Sequence, residues 1–73
     1  MDYIIRLDCI NENNPYKLRY GQEVYVSEVF GLENKCTKNK SLAYKFISIQ
    51  RVQSIVQKIS QNHIFRPIVL KVH

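Results

Sequence analysis

The chain has 73 residues, of which 45% are hydrophobic and 23% charged, and this composition indicates one folded domain rather than a disordered segment. Two cysteines and two glycines are too few for a disulfide-rich scaffold or a glycine-rich phosphate loop. The first 33 residues hold six acids and three bases, a net charge of −3, whereas the other 40 hold eight bases and no acid, a net charge of +8. This asymmetry predicts an acidic or phosphate-bearing partner.

Residues 3–9 predict the first strand, because every second side chain from Tyr3 to Cys9 is apolar. The asparagine-rich stretch 11–15 ends in proline, and both residue types favour turns, so the chain is expected to turn there. Residues 16–20 predict the beginning of a second strand, and Gly21 then permits a bend or a bulge.

Residues 23–30 (EVYVSEVF) predict a strand because they are dense in β-branched and aromatic side chains. Glu28 falls on the same face as the first two valines, which indicates a bulge or an edge position. Residues 32–41 (LENKCTKNKS) are polar and lysine-rich and predict an exposed loop. Apolar side chains at every second position of 42–46 predict a further short strand.

Ser48 is predicted to cap a helix that ends near Gln61. The apolar stripe of this helix consists of Ile49, Val52, Val56 and Ile59, with Ile55 beside it. An alternative is one long helix over 41–61, because Leu42 and Phe46 extend the same stripe. We favour the break before Ser48, since a serine at that position supplies the capping oxygen.

The end of the chain predicts a helix stop at Asn62 and a last strand over 64–72. Because Pro67 cannot donate a backbone hydrogen bond, regular pairing is predicted to begin at Ile68. Together these elements predict an α+β fold: a small two-layer domain in which one helix packs across an antiparallel sheet of three to four strands. The element order is β-β-β-α-β, and residues 1–73 form a single domain.

Catalytic and metal-binding chemistry is not predicted. Soft metal ligands are present only at Cys9, Cys36, His63 and His73. None of the four lies within nine positions of another, whereas zinc sites gather their ligands in close pairs. The chain also has no nucleophile elbow and no phosphate-cradling loop. We therefore predict a protein that is not an enzyme, with no cofactor and no metal, and with both thiols reduced.

The chain begins without a basic segment and apolar run of the kind that directs secretion, and no apolar stretch approaches the roughly 18 residues that span a membrane. We therefore expect a cytoplasmic protein with no membrane contact. A domain of this size buries only about 60% of the surface of its unfolded chain, so self-association would supplement a small core. A homodimer with its seam at a sheet edge near residues 23–30 is one hypothesis.

A candidate basic patch is the clearest binding feature. We predict that the lysine-rich loop and one helix face contribute Lys35, Lys38, Lys40, Arg51 and Lys58. Five tyrosines could supply ring faces on which single-stranded nucleic acid stacks. The competing interpretation is a solvated loop with tyrosines packed in the sheet, and it carries the greater weight because it is the commoner role of such residues.

Ala43, Phe46 and the capping Ser48, followed by a helix and a terminal IVLKV strand, resemble a pattern found in small phage and prophage proteins of low-GC Gram-positive bacteria. Proteins of that class open with a strand and a hairpin before the helix and the last strand. The resemblance covers residues 1–10 and 43–72. This chain departs from the pattern at Val52, where alanine is usual.

The class includes inhibitors of host defences, anti-CRISPR proteins among them, and has no family-wide catalytic residues. The resemblance therefore implies a non-enzymatic accessory or inhibitor protein in the host cytoplasm. Such a protein acts by stoichiometric binding to a host or phage protein, for which a nucleic-acid-processing complex is one expected target. The alternative is a basic protein that binds RNA or DNA directly through the loop and helix of the basic patch.

Overall fold

A computed structural model describes residues 2–30, 33–61 and 63–72. Within these ranges the chain forms four strands, a single 3₁₀ turn and one helix: β1 (Asp2–Cys9), β2 (Glu23–Phe30), β3 (Glu33–Thr37), the 3₁₀ turn (Lys40–Leu42), α1 (Ile49–Ser60) and β4 (Phe65–Val72). The strands make one antiparallel sheet in the order β3-β2-β1-β4. This is the predicted α+β domain, with one helix over one face of the sheet.

The core lies between α1 and that face of the sheet. The alternation predicted for β1 is confirmed, because Ile5, Leu7 and Cys9 are buried beneath the helix. Across the sheet and the helix they are joined by Val24, Val26, Phe46, Val52, Ile55, Ile59 and Phe65. Burial of these apolar side chains is the main term that stabilises a domain of this size.

The strand predicted over residues 16–20 is wrong, and Asn14 explains why. This buried side chain accepts hydrogen bonds from the backbone N–H groups of Tyr16 and Leu18, at 3.1 and 2.9 Å. Its amide nitrogen donates to the carbonyls of Asn11 and Leu18, both at 2.8 Å. Because one side chain satisfies these backbone groups, the segment needs no neighbouring strand. The turn predicted over 11–15 is confirmed.

The loop predicted over residues 32–41 is also wrong in part, because β3 occupies its centre. Only two residues separate β2 from β3, so pairing costs little loop-closure entropy and overrides the polar composition. Cys36 pairs with Val26 and packs against the core. The irregularity indicated by Glu28 is confirmed, since the register shifts between Val26 and Glu28. Leu32 lies outside the described residues.

The position of β2 corrects the predicted dimer seam. This strand lies between β1 and β3 in the sheet, so residues 23–30 are not an outer edge. The strands with a free side in the described part of the chain are β3 and β4.

The short strand predicted over residues 42–46 is replaced by the 3₁₀ turn and one isolated bridge. Phe46 exchanges backbone hydrogen bonds with Tyr3, and the Tyr44 N–H donates to the Val26 carbonyl at 2.8 Å. Helix α1 then begins as predicted, with the Ser48 hydroxyl accepting a hydrogen bond from the Arg51 N–H. The alternative of one long helix over 41–61 is therefore wrong.

Strand β4 pairs with β1 along its whole length, including Pro67 opposite Leu7. The expectation that pairing starts at Ile68 is wrong, because β4 is an outer strand and the missing N–H of Pro67 falls on its free side. Between α1 and β4 the chain passes through His63, which has a positive φ of 59°. The helix stop predicted at Asn62 lies outside the described residues, although α1 does end at Ser60.

Candidate functional site

The sheet face that α1 leaves uncovered, here called the open face, carries the side chains that alternate with the core residues. Cross-strand pairing joins Arg6 to both Tyr25 and Ile68, and Ile4 to Leu70. The strand residues on this face whose side chains the structure describes include Asp2, Ile4, Arg6, Asp8, Glu23, Tyr25, Lys35, Thr37, Arg66, Ile68, Leu70 and Val72. The open face is thus built from all four strands.

An aliphatic row on β4 is the unusual feature of this face. A sheet with one solvated side normally alternates apolar and polar residues, but β4 places Ile68, Leu70 and Val72 on the uncovered side. All three are half-buried, as is Tyr25 on β2, while Ile4 is only 2% exposed. The open face therefore carries three half-buried aliphatic side chains on its outer strand, beside an Ile4 side chain that is almost inaccessible.

Charged side chains of both signs lie beside these apolar residues. The Arg6 Nε lies 3.1 Å from the Asp8 Oδ1, and both side chains are about a quarter exposed. Asp8 stands opposite Glu23 on one side and Arg66 on the other. A partly exposed ion pair of this kind adds little stability, of the order of 1 kcal/mol or less, but it fixes the orientation of both side chains.

A groove lies at the end of the open face where β4 finishes. This open depression has a volume of about 530 Å³, and its walls combine Ile4 and Val72 of the sheet with Asn39, Lys40, Ser41 and Lys45 of the segment before α1. The Asn39 Oδ1 accepts hydrogen bonds from the Ser41 N–H and hydroxyl at 3.0 and 2.7 Å, which holds the turn in place. None of the described residues that line this groove, here called the lysine groove, is acidic. Its chemistry suits a ligand with an apolar part and a negative charge.

The outer side of β4, here called the β4 edge, presents backbone groups to solvent. Tyr3 and Cys9 of β1 make their backbone hydrogen bonds on the side away from β4. Their partners on β4 are Lys71 and Phe65, and in an antiparallel ladder such a pair points its backbone groups apart. The same alternation turns the N–H and C=O of Val69 outwards, and no other described strand lies beyond them. The β4 edge is therefore an open position in the sheet.

No protein-family model, curated protein or solved structure matches this chain.

The structure separates the residues of the predicted basic patch. Lys35 lies on β3 and points to the open face, and Lys38 is exposed in the turn that follows. Lys40 lines the lysine groove. Arg51 and Lys58 are exposed on the outer side of α1, across the sheet from the groove. The binding role of the five residues stays a prediction, but they belong to two surfaces rather than one.

The five tyrosines do not share one surface either. Tyr16 packs on Phe65 and Tyr44 on Phe46, with ring centroids 5.6 and 4.6 Å apart. Tyr3 packs against the core, and Tyr20 is exposed between β1 and β2. Tyr25 is the only tyrosine among the strand residues placed on the open face, so the described side chains of that face form no continuous stacking platform.

Sequence reasoning missed Lys45 and the role of β4. The sequence of β4 did contain a signal, because apolar residues occur at both odd and even positions of the strand, and therefore on both faces of the sheet. No local signal places Lys45 beside Val72, since 26 residues separate them and the whole of α1 lies between.

The remaining reactive groups are two cysteines, neither of which forms a disulfide. Burial raises the pKa of the Cys36 thiol above its ordinary value, so it stays protonated at neutral pH. In residues 2–30, 33–61 and 63–72, no three potential ligands come together to hold a metal ion. The helix of this described part of the chain is too short and polar to cross a membrane.

Proposed function

We propose that the protein is a non-enzymatic binding module that docks on a partner protein through the open face and the lysine groove. The observation that carries this proposal is the aliphatic row Ile68, Leu70 and Val72, which is half-buried on the outer strand β4 and is flanked by charged side chains of β1 and β4. Protein interfaces have this anatomy, with an apolar centre that loses its water and a polar rim that stays solvated.

The residues also define the chemistry of the partner. The apolar floor formed by Ile4 and Val72 favours aliphatic side chains, and the ammonium groups of Lys40 and Lys45 favour carboxylates beside them. Nucleic acid fits this face less well. Among its described residues, this face offers one tyrosine ring for stacking.

The phage resemblance narrows the kind of partner. It implies a host or phage protein, with a component of a nucleic-acid-processing complex as one target, and an inhibitory or accessory outcome. A protein with an excess of five positive charges does not imitate DNA, so inhibition of such a complex would come from occupying a surface of the target.

The experiment uses the purified protein to capture partners from a lysate of the cells that produce it. The captured protein is then purified and titrated with wild type by calorimetry, where one-to-one binding is expected. Replacing Leu70 by lysine should weaken binding about tenfold or more, equivalent to about 1.4 kcal/mol, whereas Leu70→Met should keep it. Lys45→Glu should also weaken binding, and Lys58→Glu on α1 is the charge-matched control.

Far-UV circular dichroism confirms that each variant is folded before it is compared. Unchanged affinity in folded Leu70→Lys and Lys45→Glu variants would show that the open face is not the docking surface. Loss of the complex after nuclease treatment would replace the proposal with nucleic-acid binding.

The outer side of α1 supports a second candidate function, binding of RNA or DNA. This helix has no acid, and Arg51 and Lys58 lie on its exposed side about two turns apart. Three further residues of the helix are exposed and add hydrogen-bonding groups: Gln50, Gln53 and Gln57. Binding to a random oligonucleotide that weakens steeply with salt, and weakens further in Arg51→Gln, is the expected result. Absence of binding at about 50 mM salt would exclude this function.

A further inference from the structure

The β4 edge adds a second recognition element beside the lysine groove. We infer that it takes up an extended, acidic segment of the partner protein as a fifth strand of the sheet, a mode of binding that rests on the proposed docking function. Strand addition supplies affinity through main-chain hydrogen bonds and specificity through the side chains that alternate along the added strand. The β4 edge, with eight residues, is longer than the five-residue β3 at the other side of the sheet.

The charges on β4 select against a second copy of this chain. Its charged residues, Arg66 and Lys71, are both basic, so pairing two β4 strands brings four positive charges to one seam. Lysine and proline on an outer strand are common protections against self-pairing. The same positive charges favour an added strand that carries carboxylates, so they reject one occupant and attract the other.

Pro67 sets the register of the added strand. Because Pro67 has no N–H, the outward hydrogen bonds of the β4 edge centre on Val69 and Lys71, each of which offers a donor and an acceptor. On the open face, the added strand would extend the apolar surface of Ile68 and Leu70. The added strand would therefore carry an acidic residue beside Lys71 and a second acidic residue beside Arg66. Between them it would have three aliphatic residues, followed by any residue beside Pro67.

The test uses a capped synthetic peptide with that pattern, Ser-Glu-Val-Val-Val-Thr-Glu-Ser, and the uniformly ¹⁵N-labelled full-length protein. A control peptide has lysine in place of both glutamates. Amide exchange of Val69 and Lys71 should slow about threefold when the acidic peptide is present at twice its Kd, and should not change with the control peptide. Light scattering of the free protein should give the mass of a monomer.

Two variant pairs separate main-chain pairing from simple charge attraction. Val69→Pro removes an outward N–H and should lose the protection at Lys71, whereas Val69→Ala should retain it. Lys71→Glu should weaken peptide binding about tenfold, and Lys58→Glu is the matched control. If a variant does not fold, the comparison of the two peptides on wild type decides the question alone.

The outcomes distinguish this inference from the proposed function. Strand addition would be overturned if the peptide changed the amide chemical shifts of Tyr25, Ile68 and Leu70 but did not slow the exchange of the Val69 and Lys71 amides. Docking on the open face would then remain. Equal effects of the acidic and lysine peptides, or a dimer of the free protein that buries β4, would overturn the selection for an acidic strand. No response at either surface at millimolar peptide would also overturn the inference, while the capture experiment would still test the docking function.

Discussion

Tyr3 and Phe46 exchange two backbone hydrogen bonds, with N···O distances of 2.8 and 2.7 Å. This pair joins the segment before α1 to the start of β1, where β2 no longer accompanies β1. It also places the Phe46 ring in the core and the neighbouring Lys45 at the lysine groove. One contact between distant parts of the chain therefore serves both stability and the candidate site.

Replacing Phe46 by alanine should lower the free energy of unfolding by about 3 to 5 kcal/mol, because a large buried side chain is lost and a cavity remains. That is a large share of the stability expected for a 73-residue domain, so part of the population should unfold at room temperature. The control is Ile47→Ala, since Ile47 is 81% exposed. Urea denaturation measures both, and equal effects of the two changes would contradict the packing described for Phe46.

Asn14→Ala should destabilise the protein by about 2 to 4 kcal/mol, because four partly buried hydrogen bonds are lost and the backbone groups they satisfied lose these partners. The neighbouring Asn13 is exposed, so Asn13→Ala should change stability by less than about 0.5 kcal/mol. The measurement is the same denaturation experiment. A small effect of Asn14→Ala would mean that the loop between β1 and β2 does not depend on this side chain.

Ser48→Ala should cost about 1 kcal/mol, because the hydroxyl that accepts the Arg51 N–H is removed from the start of α1. Ser48→Asp should restore the loss, since its carboxylate caps the helix and interacts favourably with the positive end of the helix dipole. Ser54→Ala, in the exposed middle of the helix, is the control and should be neutral or stabilising. Thermal denaturation would contradict the capping role if both Ser→Ala changes had the same effect.

The raised pKa of Cys36 predicts a loss of stability at alkaline pH. Because the folded state holds the proton more tightly than the unfolded state, the contribution is present below the ordinary thiol pKa and is lost as the pH rises through the raised value. The stability of wild type relative to Cys36→Ala should therefore fall across that window. A difference that stays constant with pH in urea denaturation would contradict the burial of this thiol.

Local pattern alone determined much of the fold. The alternation in β1, the β-branched residues of β2, the Ser48 cap and the apolar stripe of α1 each follow from the spacing of side chains along a few turns or a few strand residues. These features depend on neighbouring residues within the same helix or strand, so the amino-acid sequence alone is enough to predict them.

Only the tertiary structure decided the rest. Strand β3 exists because β2 lies beside it, and residues 16–20 are not a strand because Asn14 supplies their hydrogen bonds. Lys40 and Lys45 meet Val72, while Arg51 and Lys58 point away from them on the other side of the sheet. Surface chemistry of this kind depends on contacts between residues far apart in the chain, and no local period encodes them.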